Sequence, residues 1–269
     1  MRKNTLKLYN LYNPLSERFP LFASLPHSGT HVPPAIAKQF KQDPGPVLAP
    51  VDWHLERLYD FLPELGITLL QATHSRYVVN LNRSLEAPLF GPEPTSVIPD
   101  MTCFGSPLYN YEMPDKDEVE ERVTNYYLPY HRRLSQSLRQ LINDFGRVYL
   151  IDLHSYYRGP QVDVCLGNVN DTTCSEGLIG VFETALRRQS FDVTRNDVWI
   201  GGYITRHYGS MDNTETLQIE LRFPAYLEGD TFEEDEVPDW DSMKFREARE
   251  RLRCVFREVI DELRKENAS

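Results

Sequence analysis

The stretch LIDLHSYYRG, residues 150–159, decides the fold that we predict for this chain. It continues an apolar run that begins at Val148, and the run ends in the polar residues Asp152, His154 and Ser155. In an open α/β sheet, ligands bind beyond the carboxyl ends of the strands, so an Asp-x-His pair at a strand end marks a candidate site. A strand end also needs polar residues simply to leave the core, and the pattern alone does not decide between these interpretations.

Strands and helices alternate on both sides of this central strand. The sequence pattern predicts further strands at 20–26, 66–72, 75–82 and 216–222. It predicts helices at 52–62, 119–141, 175–189 and 252–263, and Pro129 predicts a kink or break in the second of them. This alternation indicates an α/β protein built as a helix–sheet–helix sandwich. No linker composition is visible, so we expect one domain over residues 1–269, with a long irregular loop at about 84–114, where six prolines occur.

The composition argues against several classes of protein. With 41% hydrophobic and 26% charged residues, the 269-residue chain is typical of a globular domain. The net charge of −11 argues against a nucleic-acid partner, although a local arginine pocket can still bind a small anion. No apolar run approaches the ~20 residues that span a bilayer, and no signal-peptide pattern follows Met1, so we expect a cytoplasmic protein without a membrane partner.

Two histidines are candidate metal ligands. His27 and His154 each follow an apolar strand directly and precede a serine. If the two strands are neighbours, the imidazoles converge, and Asp52 is a suitable carboxylate for the third ligand of a zinc site with an open position. Asp52 is equally placed to cap the helix predicted at 52–62, which is the commoner role for such a residue. No local zinc motif such as His-Glu-x-x-His is present, so the spacing alone indicates a metal only weakly.

A glutamate and three arginines complete the set of candidate residues. Glu220 lies in an alternating strand and is either a general base at a strand end or a solvated glutamate paired with an arginine. Arg76, Arg83 and Arg206 are candidates for binding an anionic substrate, because a guanidinium matches a carboxylate with two hydrogen bonds. Asn82 stands beside Arg83, directly after a predicted strand. The other interpretation is that these arginines neutralise acidic side chains of an acidic protein.

The motifs taken together resemble a known family. LPHSGTHVP, VDWHLERLYDF, SRYVVNLNR, YLPYHRRL, LIDLHS, GGYITRHYG and LQIEL occur in this order between about residues 24 and 226. The chain resembles the N-formylglutamate amidohydrolases, which remove formate from N-formylglutamate in one route of histidine degradation. That family is similar to zinc carboxypeptidases and aspartoacylases. The resemblance implies a three-layer α/β/α sandwich of the zinc-peptidase or phosphorylase/hydrolase type, with a mixed, mainly parallel sheet and one zinc ion.

The resemblance also implies roles for the candidate metal site. His27 and His154 correspond to zinc ligands, and Glu220 corresponds to the general base. The wider zinc family carries an acidic ligand three residues after its first histidine, where this chain has Thr30. Asp52 is therefore our inferred substitute for the third ligand.

For the substrate, the resemblance implies that the Asn82-Arg83 pair grips a carboxylate. Arg76, Arg83 and Arg206 are available to hold two carboxylates or to stabilise an oxyanion, and the sequence does not assign these tasks. One departure concerns Asn80, because the family usually has an aspartate there.

The expected function is zinc-dependent hydrolysis of N-formyl-L-glutamate, a small anionic substrate, to formate and L-glutamate. The alternatives are hydrolysis of another N-acyl amino acid or short peptide in the same site, or a non-catalytic protein that binds an anionic ligand. The sequence leaves the oligomeric state open.

Overall fold

A seven-stranded mixed sheet forms the centre of the fold. The computed structural model describes residues 6–41, 52–229, 231–232 and 236–267. The strands within these ranges are β1 (Tyr9–Tyr12), β2 (Leu21–Leu25), β3 (Thr68–Ala72), β4 (Phe90–Gly91), β5 (Ile98–Pro99), β6 (Val148–Tyr156), β7 (Val164–Gly167), β8 (Val193–Arg195) and β9 (Thr214–Arg222). The sheet has the order β1-β3-β2-β6-β9-β7-β8, and β4 pairs with β5 separately. Neighbouring strands of the sheet run parallel except for β1 with β3 and β7 with β9, so the predicted mixed, mainly parallel sheet is confirmed.

Helices cover both faces of this sheet. Those of the described ranges are α1 (Pro34–Ala37), α2 (Leu55–Leu58), α3 (Lys116–Arg122), α4 (Leu128–Phe145), α5 (Glu176–Arg188), α6 (Tyr203–Gly209) and α7 (Met243–Asn267). Buried side chains of α2, α5 and α7 form one apolar cluster with one face of the sheet. Those of α3, α4 and α6 form a second cluster with the opposite face, which confirms the three-layer α/β/α sandwich. Within the described ranges, no helix is long and apolar enough to span a membrane.

Alternation along β9 divides its side chains between the two faces of the sheet. Leu217, Ile219 and Leu221 belong to the cluster beneath α5 and α7. Gln218 and Glu220 therefore point to the other face, and both are almost fully buried. The sequence pattern predicted this division, but the face that carries Glu220 is not solvated.

Residues 75–82 were predicted to be a strand, and this prediction is wrong. The Ser75 hydroxyl accepts a hydrogen bond from the backbone N–H of Tyr77 at 3.2 Å. The backbone carbonyl of Ser75 accepts one from the backbone N–H of Val78 at 2.9 Å. This turn bends the chain away from the sheet. The backbone then bonds to the proline-rich segment, for example from the Asn80 N–H to the Val97 carbonyl at 2.7 Å. The apolar composition reflects burial beneath that segment rather than strand pairing.

Two predicted helices also differ in detail. The helix expected at 52–62 is reduced to the single turn of α2, and a short 3₁₀ helix follows at Leu62–Leu65. Asp52 does not cap α2, because His54 occupies the N-cap position. The long helix is continuous from α3 to α4 but widens into a π turn at Val123–Tyr127, directly before Pro129. A proline has no amide hydrogen and its ring crowds the preceding turn, so the predicted break takes the form of this wider turn.

Candidate active site

The candidate site lies where three neighbouring parallel strands end. β2 pairs with β6, and β6 pairs with β9, so the carboxyl ends of all three lie at one edge of the sheet. His27 follows the end of β2, and His154 lies opposite Glu220 in the register of β6 and β9. The condition for the two histidines to converge, that their strands are neighbours, is therefore met. Parallel pairing is what brings residues so far apart in the chain to one place.

His27, Asp52 and His154 form a compact buried cluster. One ligand atom from each residue lies within 4.8 Å of the others. His154 Nδ1 is 2.9 Å and His27 Nδ1 is 3.9 Å from the same oxygen, Asp52 Oδ2. The backbone N–H of Asp52 donates to the His27 carbonyl at 3.1 Å, which ties the loop that carries Asp52 to the end of β2. The structure thus brings the three predicted ligands together.

The outer nitrogen of each imidazole is held by a buried polar side chain. His27 Nε2 lies 2.8 Å from Asn80 Oδ1, and His154 Nε2 lies 2.9 Å from Asp152 Oδ2. Both acceptors are completely buried. With Nε2–H as the donor in each ring, the lone pairs on Nδ1 of His27 and His154 are directed toward the cluster. Proteins commonly orient metal-binding histidines in this way.

Electrostatics within the cluster favour a cation. Asp52, Asp152 and Glu220 are all less than 9% exposed and lie around the same two histidines. Burial lowers the pKa of His154, but Asp152 and Asp52 outweigh it and hold that pKa well above its ordinary value. Burial, together with the positive charges of Arg76 and His154, holds the pKa of His27 well below the ordinary value of a histidine.

Buried carboxylates are costly without compensating positive charge. One oxygen of Asp152 also has no hydrogen-bond partner among the described residues. Two imidazoles and a carboxylate are a donor set that fits Zn²⁺, so the residues present fit the metal that the sequence implied.

Glu220 is buried beside this cluster. Its Oε1 accepts a hydrogen bond from Gln218 Nε2 at 3.0 Å. Burial raises its pKa to about 8, with Asp52 and Asp152 adding to the effect and His154 and Arg76 opposing it. A carboxylate whose pKa lies near neutral pH both takes up and releases a proton readily.

Two of the three predicted arginines are engaged by a residue that the sequence did not reveal. Arg76 Nη2 lies 2.6 Å and Arg83 Nη2 lies 3.6 Å from Glu93 Oε1. Glu93 is 5% exposed and also accepts from Asn80 Nδ2 at 3.4 Å. Arg83 further donates to the backbone carbonyl oxygens of Asn82 and of the residue after Glu93. Glu93 stands between two prolines in the irregular segment, where no periodic pattern distinguishes it.

The remaining two predicted substrate residues, Asn82 and Arg206, differ in how far their side chains are exposed. Asn82 is engaged inside the protein, since its Nδ2 lies 3.3 Å from Asp152 Oδ2 and its Oδ1 accepts from the Ile204 N–H at 2.7 Å. Arg206 is exposed and donates from Nε to the Gly201 carbonyl at 3.1 Å. No carboxylate among the described residues lies within ion-pair distance of Arg206. Of the predicted arginines, Arg206 therefore presents its guanidinium most openly.

One cavity of about 630 Å³ is lined by the candidate residues of the site. Its lining includes each of the eight residues predicted for the site: His27, Asp52, Arg76, Asn82, Arg83, His154, Arg206 and Glu220. Gly202 also lines it, and a Cβ atom there would lie 2.3 Å from the amide nitrogen of Asn82. Gly202 thus lets the backbone approach the side chain of Asn82 closely. The cavity is of the size that small-molecule sites usually have.

Comparison with known proteins identifies the family. Residues 19–227 match the N-formylglutamate amidohydrolase family. The chain is 33% identical over 257 residues to N-formylglutamate deformylase of Pseudomonas aeruginosa. This alignment covers 91% of this chain and 93% of the relative. It is 32% identical over 225 residues to N-formylglutamate deformylase of Pseudomonas putida, with 78% and 83% covered.

Among solved structures, N-formylglutamate amidohydrolase from Ralstonia eutropha JMP134 matches with a TM-score of 0.82 and 27% identity, covering 97% of this chain and 99% of the other. The family match, the curated relatives and this structure agree with the resemblance carried by the motifs. The chain belongs to the N-formylglutamate amidohydrolase family.

Proposed function

We propose that the protein is a zinc-dependent amidohydrolase that converts N-formyl-L-glutamate and water to formate and L-glutamate in the cytoplasm, as a step of histidine degradation. The observation that carries the proposal is the convergence of His27, Asp52, His154 and Glu220 in one buried cluster. That cluster opens into a cavity that arginines line. A protein that only binds an anion does not require a buried carboxylate with a raised pKa beside two imidazoles.

His27, Asp52 and His154 would hold the metal. Zinc in such a site polarises an amide carbonyl and lowers the pKa of water toward ~7. Asn80 and Asp152 fix the orientation of the two imidazoles through their Nε2 atoms. Asn80 performs this task for His27 without the charge that the family usually has at this position.

Glu220 would act as the general base and then as the general acid. Its carboxylate takes a proton from the attacking water and passes it to the amide nitrogen as the carbon–nitrogen bond breaks. The hydrogen bond from Gln218 holds the carboxylate in place during this exchange. Because Glu220 is almost fully buried, bulk water competes little for the proton.

The arginines would select an anionic substrate. Arg206 is the most accessible guanidinium and is suited to a substrate carboxylate. The Arg76 side chain is 12% exposed and lines the cavity together with Asp52. We assign Arg76 to the oxyanion that develops on the formyl carbonyl, where a preorganised donor contributes most. Arg83 remains available for the second carboxylate.

Metal analysis of the purified protein and a formate-release assay test this proposal together. We expect about one zinc per chain and release of formate from N-formylglutamate. Replacing the side-chain carboxylate by an amide, as in N-formylglutamine, should lower kcat/KM by about tenfold or more, since a charged hydrogen bond contributes ~1.5–3 kcal/mol. Binding of N-formylglutamate without formate release would favour the non-catalytic alternative, and equal kcat/KM for the two compounds would contradict the carboxylate pocket.

A further inference from the structure

A second cavity of about 230 Å³ adjoins the main one, and we call it the annex. Its walls are formed largely by five aromatic side chains, Phe104, Tyr156, Tyr157, Trp199 and Phe223. Asp52 and Arg76 line both the annex and the main cavity. The annex is therefore reached from the reaction centre.

The aromatic residues of the annex present ring surfaces, and its other lining residues are Asp52, Arg76, Cys103, Ser155 and Arg158. Tyr157 stacks on Phe223 with 6.2 Å between ring centroids and lies 6.4 Å from Phe104. Tyr156 lies 6.0 Å from Trp199, and its hydroxyl donates to the backbone carbonyl of Val162 at 2.8 Å. The hydroxyl of Tyr156 is thus already satisfied by the protein. Such a surface favours an apolar, preferably aromatic, ligand group.

The two cavities divide the charged residues unequally. Arg83, Arg206 and Glu220 line the main cavity but not the annex. Arg158 lines the annex but not the main cavity, and its guanidinium lies 4.7 Å from the centroid of the Phe104 ring. The carboxylates of a glutamate moiety are therefore accommodated in the main cavity. With the carboxylates in the main cavity and the amide carbonyl at Asp52 and Arg76, which line both cavities, the acyl group is the part of the substrate left to face the annex. A formyl group carries only a hydrogen atom there and leaves the annex without a contact.

We infer that the annex is an acyl-group site, and that the enzyme also hydrolyses N-acylglutamates whose acyl group is apolar and aromatic, such as N-benzoylglutamate. The inference rests on the proposed function and extends it to a class of larger acyl groups. Water adds its oxygen to the acyl carbon, the carbon–nitrogen bond breaks, and the nitrogen takes the proton that Glu220 carries; the products are benzoate and glutamate. An apolar cavity of ~150 Å³ is enough to bind benzene, so the annex has room for the phenyl ring.

A panel of four substrates with one common product tests the inference. Release of glutamate is measured for N-formyl-, N-acetyl-, N-benzoyl- and N-succinylglutamate with the zinc-loaded full chain. We expect kcat/KM for the benzoyl compound within about tenfold of that for the formyl compound, and at least about tenfold above that for the anionic succinyl compound. The inference is overturned if N-benzoylglutamate is not hydrolysed, even where it inhibits N-formylglutamate hydrolysis, or if the succinyl compound is the better substrate.

The same panel separates this inference from the proposed function. Hydrolysis of N-formylglutamate without any binding of N-benzoylglutamate would remove the annex and leave the proposed function intact. If no compound is hydrolysed, the proposed function fails. Calorimetric binding of the benzoyl compound, compared with the formyl compound, then still decides whether the annex accepts an acyl group.

Two matched variants test whether hydrolysis of the benzoyl compound depends on the annex. Tyr157→Ala removes a ring that lines only the annex, whereas Val198→Ala truncates an exposed apolar side chain that lines only the main cavity. Tyr157→Ala should lower the ratio of benzoyl to formyl kcat/KM about tenfold, and Val198→Ala should leave that ratio unchanged. If Tyr157→Ala does not fold, Tyr157→Leu replaces it at the same annex-only position, with a smaller decrease expected. An equal ratio of benzoyl to formyl kcat/KM in the Tyr157 variant and in Val198→Ala would contradict the assignment of the annex as an acyl-group site.

Discussion

Replacing Glu220 by glutamine is expected to slow the reaction and, at the same time, to stabilise the metal-free protein. Glutamine keeps the size of the side chain and still accepts the hydrogen bond that Gln218 donates. It cannot accept a proton from water, and loss of a general base typically lowers rates by ~10²–10⁴. We therefore expect kcat to fall by about this factor. Zinc content should stay near that of the unchanged protein, because Glu220 is assigned to the water and not to the metal.

The stabilisation follows from the raised pKa of Glu220. Burial is the main reason that its pKa rises from 4.5 to about 8 in the folded protein. Between these pH values the unfolded chain has released the proton and the folded chain retains it, so the free energy of unfolding decreases as the pH rises. At ~1.36 kcal/mol per pH unit, the cost above pH 8 is at most roughly 5 kcal/mol. Glu220→Gln should thus be more stable than the unchanged protein by on the order of 2–5 kcal/mol at about pH 9, and of similar stability at about pH 4.

Urea unfolding of chelator-treated protein at the two pH values measures the stability, and formate release from the zinc-loaded protein measures kcat. Glu64→Gln is a matched control, because Glu64 is half exposed and pairs with Arg253 at 2.7 Å. The control should keep its kcat and change the free energy of unfolding by no more than ~1 kcal/mol. Near-normal turnover in Glu220→Gln, or a stability difference that does not depend on pH, would refute the reasoning.

Three further changes test other parts of the structure. His154→Ala should lose both zinc and activity while far-ultraviolet circular dichroism stays unchanged, because the metal is catalytic rather than structural; full zinc content in this variant would exclude His154 as a ligand. Glu93→Gln frees Arg76 and Arg83 for substrate, so KM for N-formylglutamate should fall several-fold, and a raised KM would contradict this. The Tm of the ligand-free protein should also fall, because a largely buried guanidinium loses its partner. Burial lowers the pKa of His131 to about 3, so the unfolded chain binds a proton from about pH 6.5 downward and the folded chain does not. The unchanged protein should therefore lose stability between pH 6.5 and 3, and His131→Gln, which can still donate to the Leu81 carbonyl, should show a smaller loss in urea unfolding over that range.

The sequence allowed the frame of the site to be predicted because periodicity and strand ends are local signals. Alternation in β9 placed Glu220 on the face opposite Leu217, Ile219 and Leu221, and the apolar runs before His27 and His154 identified two strand ends. The family resemblance then implied a role for each of these residues: zinc ligands for His27 and His154, and general base for Glu220. Asp52 was identified as a candidate ligand, although an isolated aspartate before a helical pattern is more often a cap.

The supporting contacts were not predicted, because they join residues that are distant in the chain. Asp152 lay in the stretch that suggested the central strand, yet only the fold shows its oxygen 2.9 Å from His154 Nε2. Glu93 meets Arg76 only because the proline-rich segment folds back over residues 75–82. A turn that depends on the Ser75 hydroxyl outweighed the β-branched composition of that stretch. Pairings of this kind leave no periodic trace in a single sequence.

The proline-rich segment has a consequence for how substrate preference can diverge in such enzymes. The metal-binding and proton-transfer groups come from β2, β6, β9 and the Asp52 loop, whereas Glu93, Cys103 and Phe104 come from one continuous stretch of chain. That stretch supplies the carboxylate beside two arginines and one wall of the annex. Insertions, deletions or recombination within it can alter both the charge and the volume offered to a substrate while the metal-binding and proton-transfer groups stay in place. It is therefore a natural unit for grafting between homologues, with the sheet as a fixed host.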